Sequence, residues 1–352
     1  MSETGQTEQQ TEQRTGQQAG SERPLAVIIG GTGFLGGHLA SSLTAQGWRV
    51  RSLSRRGAAP RCAPETAQPV EYLAVNVLDS EALAAACEGA KAVYHLAGRV
   101  SRDPKDAGAL HDLHVKGTQS FLRVVEQLEI KRALYLSTSG VVAVSKKPEL
   151  RDEESPYARD LIDQWGYYHS KLFAEEEVMR ACARGLPIKI ARPSLFLGPG
   201  DPTGQSHEDI LLFLGGKLKA IPPGGLNAVD VRDVAEFLPT LIEEGEPGVG
   251  YLLGGDNITV RALINQVAQI TDRAPPLLDL PIGLVDKAME PLKWISKTSL
   301  GGNIDPQTFE MARHFWYVDS ARARELGFTS RPLSGTLLDA LRDLSARGFY
   351  EA

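Results

Sequence analysis

Residues 25–36 read Leu25-Ala26-Val27-Ile28-Ile29-Gly30-Gly31-Thr32-Gly33-Phe34-Leu35-Gly36, an unbroken apolar run followed at once by glycines at 30, 33 and 36. An apolar run without alternation is the pattern of a strand covered on both faces, as in a parallel sheet. The three glycines divide the work of a phosphate-binding turn. The first permits the tight turn, the second lets a pyrophosphate approach the backbone, and the third lets the next helix pack on the strand. An amphipathic stretch near 34–46 follows, whose first N–H groups and positive dipole end would face those phosphates. A glycine motif alone is weak. Set between such a strand and such a helix, it predicts a dinucleotide site lined by Gly30, Thr32, Gly33, Phe34, Leu35 and Gly36.

Outward from this stretch, short apolar runs alternate with helical patterns. Strands are predicted at Leu25–Ile29, Arg49–Ser54, Val70–Val75, Ala92–Leu96, Ala133–Ser137 and Ile188–Arg192, with helices near 34–46, 80–88, 107–128 and 163–184 between them. Six strands in this rhythm make an α/β fold, a doubly wound parallel Rossmann sheet over residues 23–192. After Arg192 the rhythm breaks at Pro193, Gly198-Pro199-Gly200, Pro202 and Pro222-Pro223-Gly224-Gly225. Residues 193–352 read mainly as a smaller, irregular α/β lobe for substrate, with some segments returning to the first domain. Helices are predicted there near 231–243, 260–271, 283–295 and 335–347, and a short strand around Tyr251–Leu253.

The bulk properties exclude several classes. With 352 residues, 42% hydrophobic and 23% charged, the chain is long enough for a large lobe and a smaller one. A net charge of −6 leaves no footprint for nucleic acid. Cys62, Cys87 and Cys182 are odd in number and lack metal-ligand spacing, which points to a reducing compartment. No apolar run reaches the roughly 18 residues of a spanning helix. Residues 1–22, rich in Gln, Thr, Glu and Gly, read as a disordered tail without a signal-peptide core. The expected location is cytoplasmic.

Two further segments carry chemistry. Tyr167 and Lys171 lie four apart within Tyr167-Tyr168-His169-Ser170-Lys171 and share one helix face. An ammonium beside a phenol favours the phenolate, so Lys171 is expected to draw the Tyr167 pKa down towards the working pH. Ala133-Leu134-Tyr135-Leu136-Ser137-Thr138-Ser139-Gly140 places hydroxyls at the carboxyl end of a strand, where doubly wound folds bind ligand. Arg55 and Arg56 end the second strand where an NAD site would carry Asp or Glu. A guanidinium there suits a 2′-phosphate and favours NADP(H), with NAD(H) left open.

The glycine loop, His95-Leu96-Ala97-Gly98, Ser137-Thr138-Ser139-Gly140, the Tyr167/Lys171 spacing and Arg192-Pro193 together resemble the extended short-chain dehydrogenase/reductase superfamily over roughly residues 24–345. Gly225–Ala235 and Leu253–Asn257 bring it nearest to the dihydroflavonol 4-reductase-like and 3β-hydroxysteroid dehydrogenase-like branches. The resemblance implies Ser139, Tyr167 and Lys171 as catalytic residues, with Tyr168 as a wall of the site. It implies cofactor contacts from Asn76, Val77, Leu96, Ala97, Gly98, Lys171, Pro193 and Ser194. Asn76-Val77 stands for the family's Asp-Leu. His114 stands for an asparagine of the fourth helix and either replaces it structurally or reaches the substrate. The acidic pair of sugar-nucleotide dehydratases is missing beside Ser139, which disfavours dehydration. A homodimer, as in much of the superfamily, is left open.

The leading expectation is an NADP(H)-dependent oxidoreductase acting on a small, fairly apolar carbonyl/alcohol pair. The alternatives are an NAD-dependent nucleotide-sugar epimerase and a non-catalytic NADP-sensing protein. No metal is expected, since His111 and His114 lack a third ligand. Asp152-Glu153-Glu154 reads as a solvated cluster, and Asp230, Arg232 and Asp233 as a structural ion-pair and capping group. Segment 282–300 reads as a lid helix over an apolar substrate, in preference to an amphipathic helix on a membrane surface.

Overall fold

The computed structural model describes residues 23–60, 62–280 and 306–351. The expectations for residues 1–22, the helix near 283–295 and the segment 282–300 lie outside the described residues. The main sheet has seven parallel strands in the order β3-β2-β1-β4-β5-β6-β10. They are β1 (Leu25–Ile29), β2 (Arg49–Ser54), β3 (Val70–Ala74), β4 (Ala92–His95), β5 (Ala133–Leu136), β6 (Ile188–Pro193) and β10 (Gly250–Leu253). Every residue of β1 is buried, as its uniform apolar run requires. Strand order reverses between β1 and β4, which leaves a crevice above their carboxyl ends.

The sheet has seven strands where the sequence rhythm predicts six. β10 lies well beyond the break at Arg192, yet it pairs parallel to β6, with Gly250 opposite Ile190 and Leu253 opposite Pro193. Its residues are apolar and all buried, and pairing with β6 satisfies one backbone edge. The other edge is closed by a side chain. Glu153 accepts a hydrogen bond from the Leu252 N–H at 3.1 Å, and burial raises its carboxyl pKa. The solvated cluster expected at 152–154 is corrected at Glu153 alone, which covers the edge strand; Asp152 and Glu154 are exposed, Glu154 pairing with Arg322.

Helices cover both faces. On one lie α2 (Ser80–Cys87), α3 (Gly117–Gln127) and α4 (Gly166–Ala183), burying Leu83, Phe121, Val124, Ala174 and Val178 against the sheet. On the other lie α1 (Phe34–Ala45) and α5 (Val231–Glu244), burying Leu39, Leu43, Val234 and Leu238. α3 continues a helical stretch that begins at Ala107–His111 and passes through a π-helical turn at Asp112–Lys116. The predicted helix over 107–128 is therefore interrupted.

A second sheet builds the smaller lobe. β9 (Gly225–Asp230) pairs antiparallel with β11 (Asp256–Thr259). Its other edge pairs in parallel with β7 (Leu195–Leu197) and β13 (Phe315–Trp316). α6 (Val260–Ile270) and α7 (Leu333–Ala346) pack on it around Leu263, Val267, Leu337 and Leu341. The short strands β8 (Ala220–Ile221) and β12 (Leu278–Asp279) pair separately.

Asp230 ties the two parts together. It caps α5 by accepting from the Arg232 N–H at 2.9 Å, chelates the Arg232 guanidinium, and accepts from Thr336 Oγ1 of α7 at 2.9 Å. Asp233 holds Arg331 in the same network. Asp230→Ala would remove the helix cap and leave the Thr336 hydroxyl unpaired at a site only 1% exposed, while Arg232 keeps Asp339. The expected loss is about 3 kcal/mol in urea unfolding; a loss below about 1 kcal/mol would contradict this account.

Candidate active site

The sequence-predicted site residues sit beyond the carboxyl ends of successive strands. In sheet order they are Asn76 after β3, Arg55 after β2, the glycine loop after β1, Leu96–Gly98 after β4, Ser139 after β5, and Pro193-Ser194 at β6. At about 4.8 Å per strand, six ends extend over roughly 24 Å. Residues in that line match the reach of an elongated ligand lying across the sheet.

Gly30 has φ +86°, and a Cβ there would come within 2.7 Å of the Ala97 backbone. Only glycine allows the first and fourth strands' loops to touch. α1 starts after Gly33 with no side-chain cap and no acidic residue in its first turn. Its leading N–H groups are therefore available to an anion. Two other features fit an NAD(P) molecule. Ser194 Oγ is buried without a hydrogen-bond partner in the described structure. Lys171 uses one of its three donors. At the far end, Ser54 Oγ accepts from the Gly57 N–H at 3.1 Å and shapes the turn that exposes Arg55 and Arg56. Among the described residues neither arginine makes an ion pair. Asn76 Oδ1 accepts from the Leu78 N–H, which fixes its amide at the groove's edge. Val77 packs on Gly117.

The residues expected to move a proton lie on α4. Tyr167, Lys171 and Glu175, spaced by four, form one inward line. Lys171 is 4% exposed, donates to the Leu136 carbonyl at 2.7 Å, and lies 5.2 Å from the centre of the Tyr135 ring. Burial pushes its pKa down to about 8, with Glu175 opposing. Glu175 is fully buried, held by Arg192 at 2.6 Å and by the Tyr157 hydroxyl at 2.7 Å. The sequence reading did not single it out, because a glutamate in a helix reads as surface until its partners on β6 and the loop are known.

The expectation that Lys171 lowers the Tyr167 pKa is corrected. Burial pushes the phenol up to about 12, and a hydrogen bond with the Thr138 hydroxyl only partly offsets this. The ammonium gives one hydrogen bond to the Leu136 carbonyl and does not reverse the desolvation of the phenol. The hydroxyl meeting Tyr167 is that of Thr138, which also accepts from the Gly140 N–H. Ser139 begins the same turn and is buried. The resemblance singles out Ser139 of the three adjacent hydroxyls, and the turn adds Thr138 as the one beside the phenol.

Tyr168 packs against Gly140, where a Cβ would come within 2.1 Å of its ring. It also stacks on Trp316 at 4.9 Å between centroids, with Trp165 alongside. Facing this aromatic wall, the loop after Gly98 is strapped to the smaller lobe. Gln205 Nε2 donates to the Val100 carbonyl at 2.8 Å, and Arg102 pairs with Asp209 and Glu208. His114 is buried with both ring nitrogens engaged, one by the Arg99 N–H and one by Ser170, so it cannot pair with His111 as a metal ligand.

Lys171 carries a pH signature. Its folded pKa lies below 10.5, so the folded state holds fewer protons than the unfolded one between about pH 8 and 10.5. Stability should rise with pH in that window, by on the order of 3 kcal/mol relative to Lys171→Met. Paired urea titrations at pH 7.5 and 10.5 measure this; an unchanged difference between the two proteins would refute it.

The model of the NAD dependent epimerase/dehydratase family matches residues 26–254. A putative dihydroflavonol 4-reductase of Synechocystis sp. is 30% identical over 342 residues, 92% of this chain and 95% of its own. A 4-hydroxy-2-methyl-3-oxo-4-farnesyl-3,4-dihydroquinoline-1-oxide ketoreductase of Stigmatella aurantiaca is 26% identical over 91% of this chain and 96% of its own. The crystal structure of gox2253 superposes with a TM-score of 0.81 at 28% identity, covering 94% of this chain and all of that one. With its seven-stranded parallel sheet and glycine loop, the chain belongs to the NAD dependent epimerase/dehydratase family of extended short-chain dehydrogenase/reductases and is an NAD(P)-dependent oxidoreductase.

Proposed function

We propose that the protein is an NADP(H)-dependent oxidoreductase that interconverts a ketone or aldehyde with its alcohol, Tyr167 giving and taking the proton. The observation that carries this reading is the meeting of Tyr167, Lys171, Thr138 and Ser139 beyond β5, between the loops that end β4 and β6. When bound, the nicotinamide supplies the hydride. The glycine loop and the start of α1 would hold the pyrophosphate, Asn76 and Val77 the adenine, Leu96–Gly98 the middle, and Ser194 the carboxamide. Arg55 and Arg56 are exposed at the end of β2 and would take a 2′-phosphate.

The electrostatics favour reduction at neutral pH. Burial keeps the Tyr167 phenol protonated, which is the form a reduction needs. Ser139 would hold the carbonyl oxygen while Tyr167 donates to it. The phenolate then formed would be stabilised by the Thr138 hydroxyl and by Lys171, which stays charged below about pH 8. Oxidation would start from the phenolate and gain as pH rises. The wall of Tyr168, Trp316 and Trp165 supports a fairly apolar substrate. Arg102 beside it is already neutralised by Asp209 and Glu208, which argues against an anionic sugar nucleotide.

An NADPH-oxidation screen over ketones and aldehydes tests the reading directly. Tyr167→Phe should lower kcat by about 10²–10⁴-fold while leaving the NADPH Kd within about twofold; near-normal kcat would refute the assignment. For the coenzyme, Arg55→Ala should weaken NADPH about tenfold and leave NADH nearly unchanged. Equal affinities for the two nucleotides that survive this substitution would sink the NADP(H) preference.

A further inference from the structure

Tyr167 is the second residue of α4, and that helix begins after Trp165 with no side-chain cap and no acidic residue in its first turn. Helix starts of this kind fray, because their leading N–H groups have no partner. A residue that must hold a phenol to within a fraction of an ångström is therefore placed where the helix is weakest. A chain of buried hydrogen bonds meets this end. Arg99 N–H donates to His114 Nε2 at 3.1 Å; His114 Nδ1 lies 2.8 Å from Ser170 Oγ; Ser170 Oγ donates to the Tyr167 carbonyl at 2.8 Å.

The direction of this chain follows from its ends. A backbone N–H can only donate, so Nε2 is the acceptor and the proton sits on Nδ1. Nδ1–H then donates to Ser170 Oγ, whose own hydrogen is committed to the Tyr167 carbonyl. A second proton on the ring would face the Arg99 N–H, so the imidazole is neutral in a single tautomer. Burial, with Lys171 nearby, likewise holds its pKa well below the usual histidine value. His114 and Ser170 are 1% and 2% exposed, so water does not replace these bonds cheaply. The His114 ring also meets Tyr167 edge-on at 5.6 Å between centroids. It reaches this place from the π-helical turn Asp112–Lys116, an insertion that interrupts the helix bonding at that level.

We propose that His114 is a positioning residue that clamps the first turn of the catalytic helix, through Ser170, to the loop that begins at Gly98. The proposal rests on the reading of Tyr167 as the proton donor for its catalytic consequence, but the clamp itself can be tested without turnover. The loop it grips is held at its other end by Gln205 and by Arg102 with Asp209. The clamp thus links the strap over the cleft to the backbone that carries the phenol.

Amide hydrogen exchange of the coenzyme-free protein, followed over residues 97–103 and 166–172, reads the clamp. His114→Phe keeps the ring but removes both hydrogen bonds, and should speed exchange in both segments about tenfold, with β5 unchanged. Ser170→Ala should speed 166–172 alone. His114→Gln, which retains a donor and an acceptor about one imidazole edge apart, should restore both. In the wild type, the ¹⁵N spectrum of labelled histidine should show His114 as the neutral Nδ1–H form from pH 5 to 8. Wild-type exchange at 166–172 in His114→Phe overturns the proposal, as does a His114 that titrates in that range. Loss of protection throughout β5 also overturns it, since that marks a general packing role. The Tyr167 reading is judged separately. With 1-phenylpropane-1,2-dione as the probe, equal NADPH oxidation by wild type and Tyr167→Phe would overturn that reading and leave the exchange pattern to decide the clamp.

Discussion

A charged ammonium buried against a neutral carbonyl is expensive, and the site is organised around making Lys171 tolerable. Its direct hydrogen bond goes to Leu136, and the Tyr135 ring face lies beside it. The formal counter-charge, Glu175, sits one turn further along α4 and is itself claimed by Arg192 and Tyr157. This leaves Lys171 undercompensated, with a pKa near 8, while a fully buried carboxylate–guanidinium pair pins α4 to β6. Donors remain on the ammonium for a ligand because the protein has not used them.

The same economy shapes the neighbours. Tyr167 is kept neutral by burial, His95 is pushed down to about 3 by burial with Lys171 adding to it, and His114 is neutral by its hydrogen bonds. Apart from the Glu175–Arg192 pair, the groups around Lys171 are neutral, and the phenol, imidazoles and hydroxyls act as dipoles of fixed direction. Preorganised dipoles of this kind stabilise charge that develops during a reaction without further reorganisation.

Much of the arrangement was legible in the chain. The run Leu25–Ile29 and the glycines at 30, 33 and 36 carry a strand, a turn and a helix start whose roles depend on local backbone geometry alone, and the structure places them so. The helical spacing of Tyr167 and Lys171 likewise puts them on one inward line. Less legible were β10, which joins the sheet from beyond a proline-rich break, and Glu153, which looks solvated in a run of acids but closes that strand's edge. Both depend on partners about 60 and 99 positions away, and no periodicity encodes such a pairing.

The sequence by itself determined the class of fold, the glycine turn after the first strand and the residue types able to move a proton, because each follows from spacing along one element. Only the tertiary structure decided how those groups behave. Burial set the phenol's pKa against the expected direction, the turn after β5 chose Thr138 as its partner, and the loop after β4 together with α4 gave His114 its two hydrogen bonds. Desolvation and hydrogen-bond direction depend on what surrounds an atom in space, and that environment is assembled from strands and helices far apart in the chain.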